Sequence, residues 1–71
     1  MKNKRKTFQV ENLSCQHCVN RVESALKETG GVIDVYVKLA DHTATVVYDE
    51  DCVTVEELKK VVQASGYGLK E

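Results

Sequence analysis

Residues 7–28 read TFQVENLSCQHCVNRVESALKE, and within them the hydrophobic period changes from that of a strand to that of a helix. Apolar and polar side chains alternate over residues 7–12, which predicts a half-buried strand. From about residue 16 to residue 28 the apolar side chains recur three or four positions apart, and polar side chains fill the opposite face. The stretch therefore predicts a strand followed by an amphipathic helix, whose buried stripe would carry Val19, Val22 and Leu26.

Cys15 and Cys18 stand at the junction between this strand and this helix. Residues three apart lie on the same side of a helical turn, so both sulfurs can reach one ion or each other. The first turn of a helix also carries free N–H groups and partial positive charge, which favour a thiolate over a thiol. The pair therefore indicates either thiol–disulfide exchange or the binding of a soft metal ion.

The middle of the chain has the pattern of a β-hairpin. Residues 32–39 are rich in β-branched side chains, and their alternation places Ile33, Val35, Val37 and Leu39 on one face, while Val32 and Tyr36 leave the other face partly apolar. Residues 43–48 alternate in the same way, and the Asp41-His42 pair between the two runs is typical of a turn. These residues predict the second and third strands.

The last third of the chain predicts a second helix and a short final strand. Thr54 is followed three residues later by Glu57, which is the spacing of a capping box at a helix start. Gly66 is placed to end that helix, because glycine readily adopts the left-handed conformation that a helix terminus often requires. Residues 67–69 then form a short extended piece, and the complete order is βαββαβ.

This order is that of the ferredoxin-like split βαβ fold. Right-handed crossovers put both helices on one face of a four-stranded antiparallel sheet, which gives an α+β sandwich. In that topology the Cys15–Cys18 loop, the Asp41-His42 turn and the turn before Tyr67 meet at one end of the molecule. Cys52 falls at the other end, so the three cysteines are not expected to form one site.

The length and charge of the chain predict one domain with a basic tail. At 71 residues, with 42% hydrophobic and 30% charged residues, the chain has the size and composition of one small globular domain. We assign that domain to residues 1–71 and interpret residues 1–6, which hold four of the ten basic residues, as a solvated tail. The remainder carries six basic against eleven acidic side chains, a poor balance for nucleic-acid binding.

No targeting or membrane-spanning segment is recognisable in the sequence. The basic start leads into an alternating run and not into an apolar block, so no export signal is visible. No apolar run approaches the roughly 18 residues that a membrane helix needs. The odd number of cysteines, three, argues against a secreted disulfide framework. We therefore expect a cytoplasmic protein with no direct membrane insertion.

The surrounding residues favour a soft metal ion over redox catalysis or a structural zinc site. A closed zinc site needs four ligands, and this end of the molecule offers two thiolates and at most His17 and His42. Thioredoxin-like enzymes place a cis-proline beside their cysteines, and this chain contains no proline. Two thiolates alone suit a soft ion of low coordination number, above all Cu(I). The sequence thus favours the binding of a soft metal ion, with a thiol–disulfide redox protein as the weaker alternative.

The chain resembles the heavy-metal-associated domain family, and within it the small bacterial cytosolic copper chaperones. That family has the same βαββαβ fold and a Gly-Met-Thr-Cys-x-x-Cys loop, which corresponds here to Asn12-Leu13-Ser14-Cys15-Gln16-His17-Cys18. The likeness extends from Phe8 to about Leu69. None of the three substitutions in the loop removes a metal ligand, and asparagine in place of the family's glycine is among the residues that best tolerate a positive φ.

The resemblance implies that Cys15 and Cys18 are the metal ligands and that Leu13 and Tyr67 support them without ligating. Leu13 stands where the family has a methionine that packs beneath the loop, and leucine preserves that packing. Tyr67 is expected next to the metal loop, where it would shield the site. His17 is expected to face solvent, with an accessory role in metal binding or proton exchange as the alternative.

The resemblance also implies a function and partners. The two cysteines would carry one Cu(I) ion and pass it on by thiolate exchange, without any bond of a substrate being made or broken. The partners implied are the CxxC metal-binding domains of P-type copper-transporting ATPases, a copper-responsive repressor, and a second copy in a copper-bridged homodimer. An excised metal-binding domain of such an ATPase and a mercury or zinc carrier stay open as alternatives, although Met1 and the lack of a proline-rich linker favour a free-standing protein.

Overall fold

Six elements follow one another in the order that the sequence predicts. The structure is a computed structural model and describes residues 3–71. Its elements are β1 (Asn3–Glu11), α1 (Gln16–Lys27), β2 (Val32–Lys38), β3 (Thr43–Asp49), α2 (Val55–Ala64) and β4 (Gly68–Lys70). The predicted βαββαβ order is therefore confirmed.

The four strands form one antiparallel sheet in the spatial order β2-β3-β1-β4. The hairpin strands β2 and β3 are neighbours, and β1 inserts between β3 and β4. The helices pack on the sheet and on each other, α1 mainly along β2 and α2 along β4. This arrangement is the ferredoxin-like sandwich, and the predicted α+β fold class is confirmed.

The core lies between the sheet and the two helices. It is built from the inward faces of the strands and from one apolar stripe on each helix, as the sequence predicts. The largest side chains that are fully buried there are Phe8, Val22, Leu26, Val46, Val53, Leu58 and Val62. Full burial of one such side chain is worth roughly 1.5–3 kcal/mol, so this layer supplies the main favourable contribution to folding.

Both helices are short. α1 has 12 residues and α2 has 10. α2 begins at its predicted cap, where the Oγ1 atom of Thr54 accepts a hydrogen bond from the N–H of Glu57 at 3.3 Å. No helix in the described part of the chain is long and apolar enough to cross a membrane.

Residues 3–6 belong to β1, so the prediction of a solvated tail over residues 1–6 is wrong for this segment. β3 extends to Asp49, and its last four residues, 46–49, pair with residues 3–6. Hydrophobic alternation did not reveal the extra length, because these side chains are polar or charged while the pairing uses backbone groups alone. Residues 1 and 2 lie outside the described part of the chain.

Ile33 was expected on the same face as Val35, but it is 55% exposed whereas Val35 is buried. Val32 pairs with Tyr48 and Asp34 pairs with Val47, which leaves Ile33 as an extra residue in β2. Such a bulge interrupts the alternation of the strand. Val32 therefore packs against the core in place of Ile33.

Gly31→Ala is expected to destabilise the fold, whereas Gly30→Ala is not. Gly31 has a φ of 95°, and a Cβ atom there would lie 2.9 Å from the Cβ of Cys52 and 3.0 Å from Val53. The left-handed backbone alone costs a side chain about 1–3 kcal/mol, and the clash adds to that cost. Gly30 is the matched control, because a Cβ atom there would meet nothing within 4 Å. Urea denaturation measures both variants, and equal free energies of unfolding would contradict the expected difference.

Candidate metal centre

The loop between β1 and α1 is held by one backbone turn and one buried side chain. Asn12 has a φ of 69°, in the left-handed region that asparagine tolerates, and there the chain turns out of the strand. Leu13 follows and is only 3% exposed, because its side chain packs into the core. The loop is thus anchored from below by an apolar side chain, which is the packing that the resemblance implies for Leu13.

The anchored loop places Cys15 and Cys18 side by side at the start of α1. Cys15 immediately precedes the helix in an extended conformation, and its carbonyl accepts a hydrogen bond from the N–H of Val19 at 3.2 Å. Cys15 is exposed and Cys18 is half-buried. Their sulfurs are 3.4 Å apart, which is longer than a disulfide bond of about 2.0 Å and close enough for both to bind one ion.

The start of α1 is electrostatically suited to thiolates. The side chain of Cys15 makes no capping hydrogen bond, and the first turn contains no acidic residue. The first turn of α2, by contrast, carries Glu56 and Glu57. The free N–H groups and the partial positive charge at the start of α1 are therefore left to the two sulfurs.

The end of α2 brings Tyr67 to the same place. Gly66 has a φ of 94°, its N–H donates to the carbonyl of Gln63 at 3.0 Å, and the N–H of Tyr67 donates to the carbonyl of Val62 at 3.2 Å. These two bonds form a Schellman motif, in which glycine takes the left-handed position after the helix. The side chain of Tyr67 is buried, with 9% exposure, and its hydroxyl is the largest cause of the lowered pKa of Cys18.

Hydrogen bonds lower the pKa of Cys18 from an ordinary 9.0 to about 6. The largest effect comes from the Tyr67 hydroxyl, followed by the backbone N–H of Ser14, the side chain of Cys15 and the hydroxyl of Ser14, which lies 3.7 Å from the sulfur. Partial burial opposes them and raises the pKa. Cys18 is therefore mainly a thiolate at neutral pH, which is the form that binds metal ions.

Arg21 is a residue near the site that the sequence analysis missed. It lies one turn after Cys18 on the same side of α1, and it lines an open groove between the helices with Ala64 and Ser65. Cys18 raises the pKa of Tyr67, and Arg21 lowers it. The spacing from Cys18 was the available signal, but it did not indicate an effect on Tyr67.

The two histidines remain outside the pair of sulfurs. His17 is exposed at the start of α1, as the sequence predicts. His42 is exposed in the hairpin turn with a φ of 53°, and its carbonyl accepts a hydrogen bond from the N–H of Val10 at 2.7 Å. This bond places the hairpin turn next to the end of β1, at the end of the molecule that carries the metal loop.

Cys52 lies at the opposite end of the molecule, as the topology predicts. It contacts the region of Gly31, which follows the far end of α1. Asp49 raises the pKa of Cys52 by its negative charge, and the thiol donates to that carboxylate at a sulfur–oxygen distance of 3.7 Å. Cys52 is thus a protonated thiol remote from the other two cysteines.

The candidate centre consists of two sulfurs alone. Among residues 3–71, no three or more His, Cys, Asp or Glu side chains are grouped closely enough to hold one ion together. A four-ligand tetrahedral zinc site would need two further donors. The pair instead offers the low coordination number and soft ligands that suit Cu(I).

Comparison with known proteins identifies the family. The model of the heavy-metal-associated domain matches residues 7–68, which is most of the chain. The chain belongs to the heavy-metal-associated domain family. The predicted resemblance is thereby confirmed.

Individual relatives agree with this assignment. The chain is 43% identical over 65 residues to the copper chaperone CopZ of Staphylococcus haemolyticus, covering 92% of this chain and 96% of that one. It is 41% identical to the copper chaperone CopZ of Bacillus subtilis, covering 90% and 93%. It also superposes with a TM-score of 0.91 on the Cu(I)-loaded N-terminal domain of a potential copper-translocating P-type ATPase from Bacillus subtilis, at 35% identity and with coverage of 97% and 86%.

Tyr67→Phe is expected to raise the pKa of Cys18 from about 6 towards 9.0, because the hydroxyl is the largest cause of the depression. The rate of iodoacetamide alkylation against pH reports the midpoint, measured on metal-free protein in which Cys15 and Cys52 are replaced by serine. At pH 7 the variant should react more slowly, since less of its sulfur is thiolate. Tyr36→Phe, on an exposed side chain of β2, is the control. An unchanged midpoint in the Tyr67 variant would contradict the hydrogen bond.

Leu13→Met is expected to change the free energy of unfolding by less than about 1.5 kcal/mol, because the swap nearly conserves buried volume. Leu13→Ala should cost roughly 2–5 kcal/mol, because it leaves a cavity beneath the loop. Chemical denaturation of the metal-free protein measures both. If the alanine variant unfolds with the free energy of the wild type, Leu13 does not anchor the loop.

Proposed function

We propose that this protein is a copper chaperone that binds one Cu(I) ion through Cys15 and Cys18 and delivers it by thiolate exchange. The observation that carries this proposal is the pair of sulfurs 3.4 Å apart at an exposed helix start. Soft ligands in low number favour Cu(I) over ions that require four or six ligands. The likeness to copper chaperones over nearly the whole of both chains supports the same assignment.

Binding uses the sulfurs as thiolates. Cys18 is already ionised at neutral pH, because the hydroxyl of Tyr67 and the groups of Ser14 hydrogen-bond it. Any proton on the second sulfur is released when the ion binds. Two thiolates and one monovalent ion give a complex with one net negative charge, placed against the positive start of α1.

Delivery follows from the open coordination of the ion. A thiolate of the partner attacks the two-coordinate Cu(I) and forms a third copper–sulfur bond. One of the two original copper–sulfur bonds then breaks, and a second exchange of the same kind completes the transfer. Copper stays monovalent throughout and never enters solution as a free ion. The protein acts as a carrier in this scheme and not as an enzyme.

We propose the CxxC domains of a copper-transporting P-type ATPase as the partner, and the cytoplasm as the place of transfer. The likeness to an ATPase N-terminal domain supports this, because donor and acceptor would present matching sites. The same likeness would fit an excised ATPase domain, which stays open as an alternative. The copper-responsive repressor and the copper-bridged homodimer stay predictions, as do the accessory roles of His17 and Tyr67 in metal binding.

Replacing either Cys15 or Cys18 by serine is expected to abolish tight Cu(I) binding and to preserve the fold, since Cys15 is exposed and Cys18 is only partly buried at the edge of the core. Anaerobic titration against a Cu(I)-selective chelator measures affinity and stoichiometry, and circular dichroism measures folding. X-ray absorption of the wild type should show one copper with two sulfur neighbours.

Cys52→Ser is the matched control and should bind copper as the wild type does, because Cys52 lies at the other end of the molecule. A large loss of affinity in this folded variant would overturn the two-ligand site. Transfer is tested by mixing the loaded protein with an isolated CxxC domain of a copper-transporting ATPase and measuring copper in each after separation. Copper that remains entirely on the donor at equal concentrations would contradict delivery.

A further inference from the structure

We infer that the face of the sheet opposite the helices, which we call the open face, binds an acidic segment of a partner protein that carries a large apolar side chain. None of the residues that support this inference lies in the loop of Cys15 and Cys18. The inference therefore goes beyond the proposed function and does not depend on copper.

The register of the strands determines which side chains share the open face. Buried side chains such as Phe8, Val46 and Leu69 point towards the helices, so their neighbours along each strand point away from them. The open face thus carries three rows of paired residues: Asp34–Val47–Arg5, Tyr36–Thr45–Thr7 and Lys38–Thr43–Gln9–Lys70.

Five of these side chains line a shallow pocket in the middle of the open face. The pocket has a volume of about 380 Å³ and is lined by Arg5, Tyr36, Lys38, Thr45 and Val47. Thr45 and Val47 are half-buried and form its floor, whereas the other three side chains are exposed around it. The volume lies within the range of about 300–1,000 Å³ that is usual for ligand sites.

The ring of Tyr36 is held in place although 53% of the residue is exposed. Its hydroxyl donates a hydrogen bond to the Oδ2 atom of Asp34 at 2.6 Å. The Oδ1 atom of the same carboxylate accepts a hydrogen bond from the N–H of Val35 at 2.9 Å. A ring that is already fixed loses little freedom when a partner packs on it, so Tyr36 offers a preorganised apolar surface.

The charge of the open face is positive and is not neutralised by the described part of the chain. Within residues 3–71, Arg5, Lys38 and Lys70 take part in no ion pair. Lys4, on the other face of β1, is by contrast paired with Glu50 at 3.6 Å. The free cations around the pocket therefore complement a partner that brings carboxylates.

The same charge argues against a second copy of the chain on this surface. Two open faces packed against each other would bring like charges together, which is unfavourable at an interface. The chain as a whole has a net charge of −1, so the excess of positive charge is a local property of the open face. An acidic segment of a different protein is the occupant that this charge favours.

The spacing of the cations sets the pattern of the segment. Lys38 pairs with Thr43 and Arg5 pairs with Val47, so the two cations lie two strands and four positions apart. Strand spacings of about 4.8 Å and rises of about 3.4 Å per residue give a separation of about 17 Å. An extended segment covers that distance in about five residues. Tyr36 lies halfway in the register, so carboxylates about five residues apart should flank one apolar side chain.

The test uses the labelled peptide Ac-Glu-Glu-Ser-Phe-Ser-Glu-Glu-NH2 and the metal-free, reduced protein. Fluorescence anisotropy measures the affinity at low salt and in 1 M sodium chloride, where the screening length falls to about 3 Å. Two matched peptides replace the phenylalanine by alanine or all four glutamates by lysine. NMR spectra of the Tyr36 ring and the Val47 methyl groups report where the peptide binds.

The protein variants are Arg5→Gln, Lys38→Gln, their combination, and Tyr36→Ala. Lys4→Gln is the matched control, because it removes one positive charge from the same strand but from the other face. Circular dichroism and urea denaturation verify that every variant is folded.

Loss of each cation should weaken binding of the acidic peptide about two- to fivefold, the range found for single exposed charge pairs. Tyr36→Ala should weaken it about two- to tenfold, as should the alanine peptide, because an aromatic contact is lost. Lys4→Gln should bind as the wild type does, and high salt should weaken binding. The signals of the Tyr36 ring and of Val47 should shift during the titration.

Three results would overturn the inference. The first is an unchanged affinity in the folded double variant of Arg5 and Lys38, and the second is equal binding of the lysine peptide. The third is tighter binding of an eight-residue oligothymidylate than of the acidic peptide, which would show a general site for polyanions. Each result leaves the proposed copper site untouched, since copper is absent from the assay.

Discussion

The antiparallel packing of α1 and α2 on one face of the sheet is the constraint on which the whole site depends. Because the helices run in opposite directions, the start of α1 and the end of α2 lie at the same end of the molecule. The start of α1 supplies two sulfurs among free N–H groups. The end of α2 supplies an aromatic hydroxyl through a Schellman turn. Neither helix alone would make the site, so the chemistry is a product of the tertiary fold.

The site also depends on the lack of acidic side chains in the first turn of α1. The chain has one more acidic than basic residue overall, yet the first turn of α1 contains no carboxylate. The folded structure lowers the pKa of Cys18 from 9.0 to about 6. Folding is therefore favoured by ionisation of this thiol, fully so above pH 9, and the contribution disappears as the pH falls through about 6. Ionisation of the sulfur that we propose as a metal ligand thus also favours the folded state.

The sequence predicted the helices and strands that short-range patterns define. The prediction failed for residues whose position is set by strand pairing. The stripe of Val19, Val22 and Leu26 and the cap at Thr54 were recognisable from spacing alone, and all are present. Residues 3–6 lacked the alternation of a strand and are ordered by the backbone of β3. Ile33 was misplaced because a one-residue bulge cannot be read from side-chain alternation.

The site shows the same division between local and tertiary signals. The two cysteines and the left-handed Asn12 follow from the loop sequence, and the positive φ of Asn12 is confirmed. Arg21 was missed because its effect on the pKa of Tyr67 links α1 to the turn after α2 and has no signature in the sequence of either. Spacing along the sequence therefore does not reveal contributions to a site that link different secondary-structure elements.

In the proposed function, low coordination would allow one small domain both to hold a metal ion and to release it. A closed set of four ligands would bind more tightly but would leave no position for an incoming thiolate. Here the sulfurs sit on an anchored loop, so Leu13 holds the geometry from below while Cys15 stays exposed above it. The ion would then be retained by two strong bonds and remain open to a third. Rigidity beneath the loop and openness above it are thus separate properties, set by different residues, and the proposed delivery needs both.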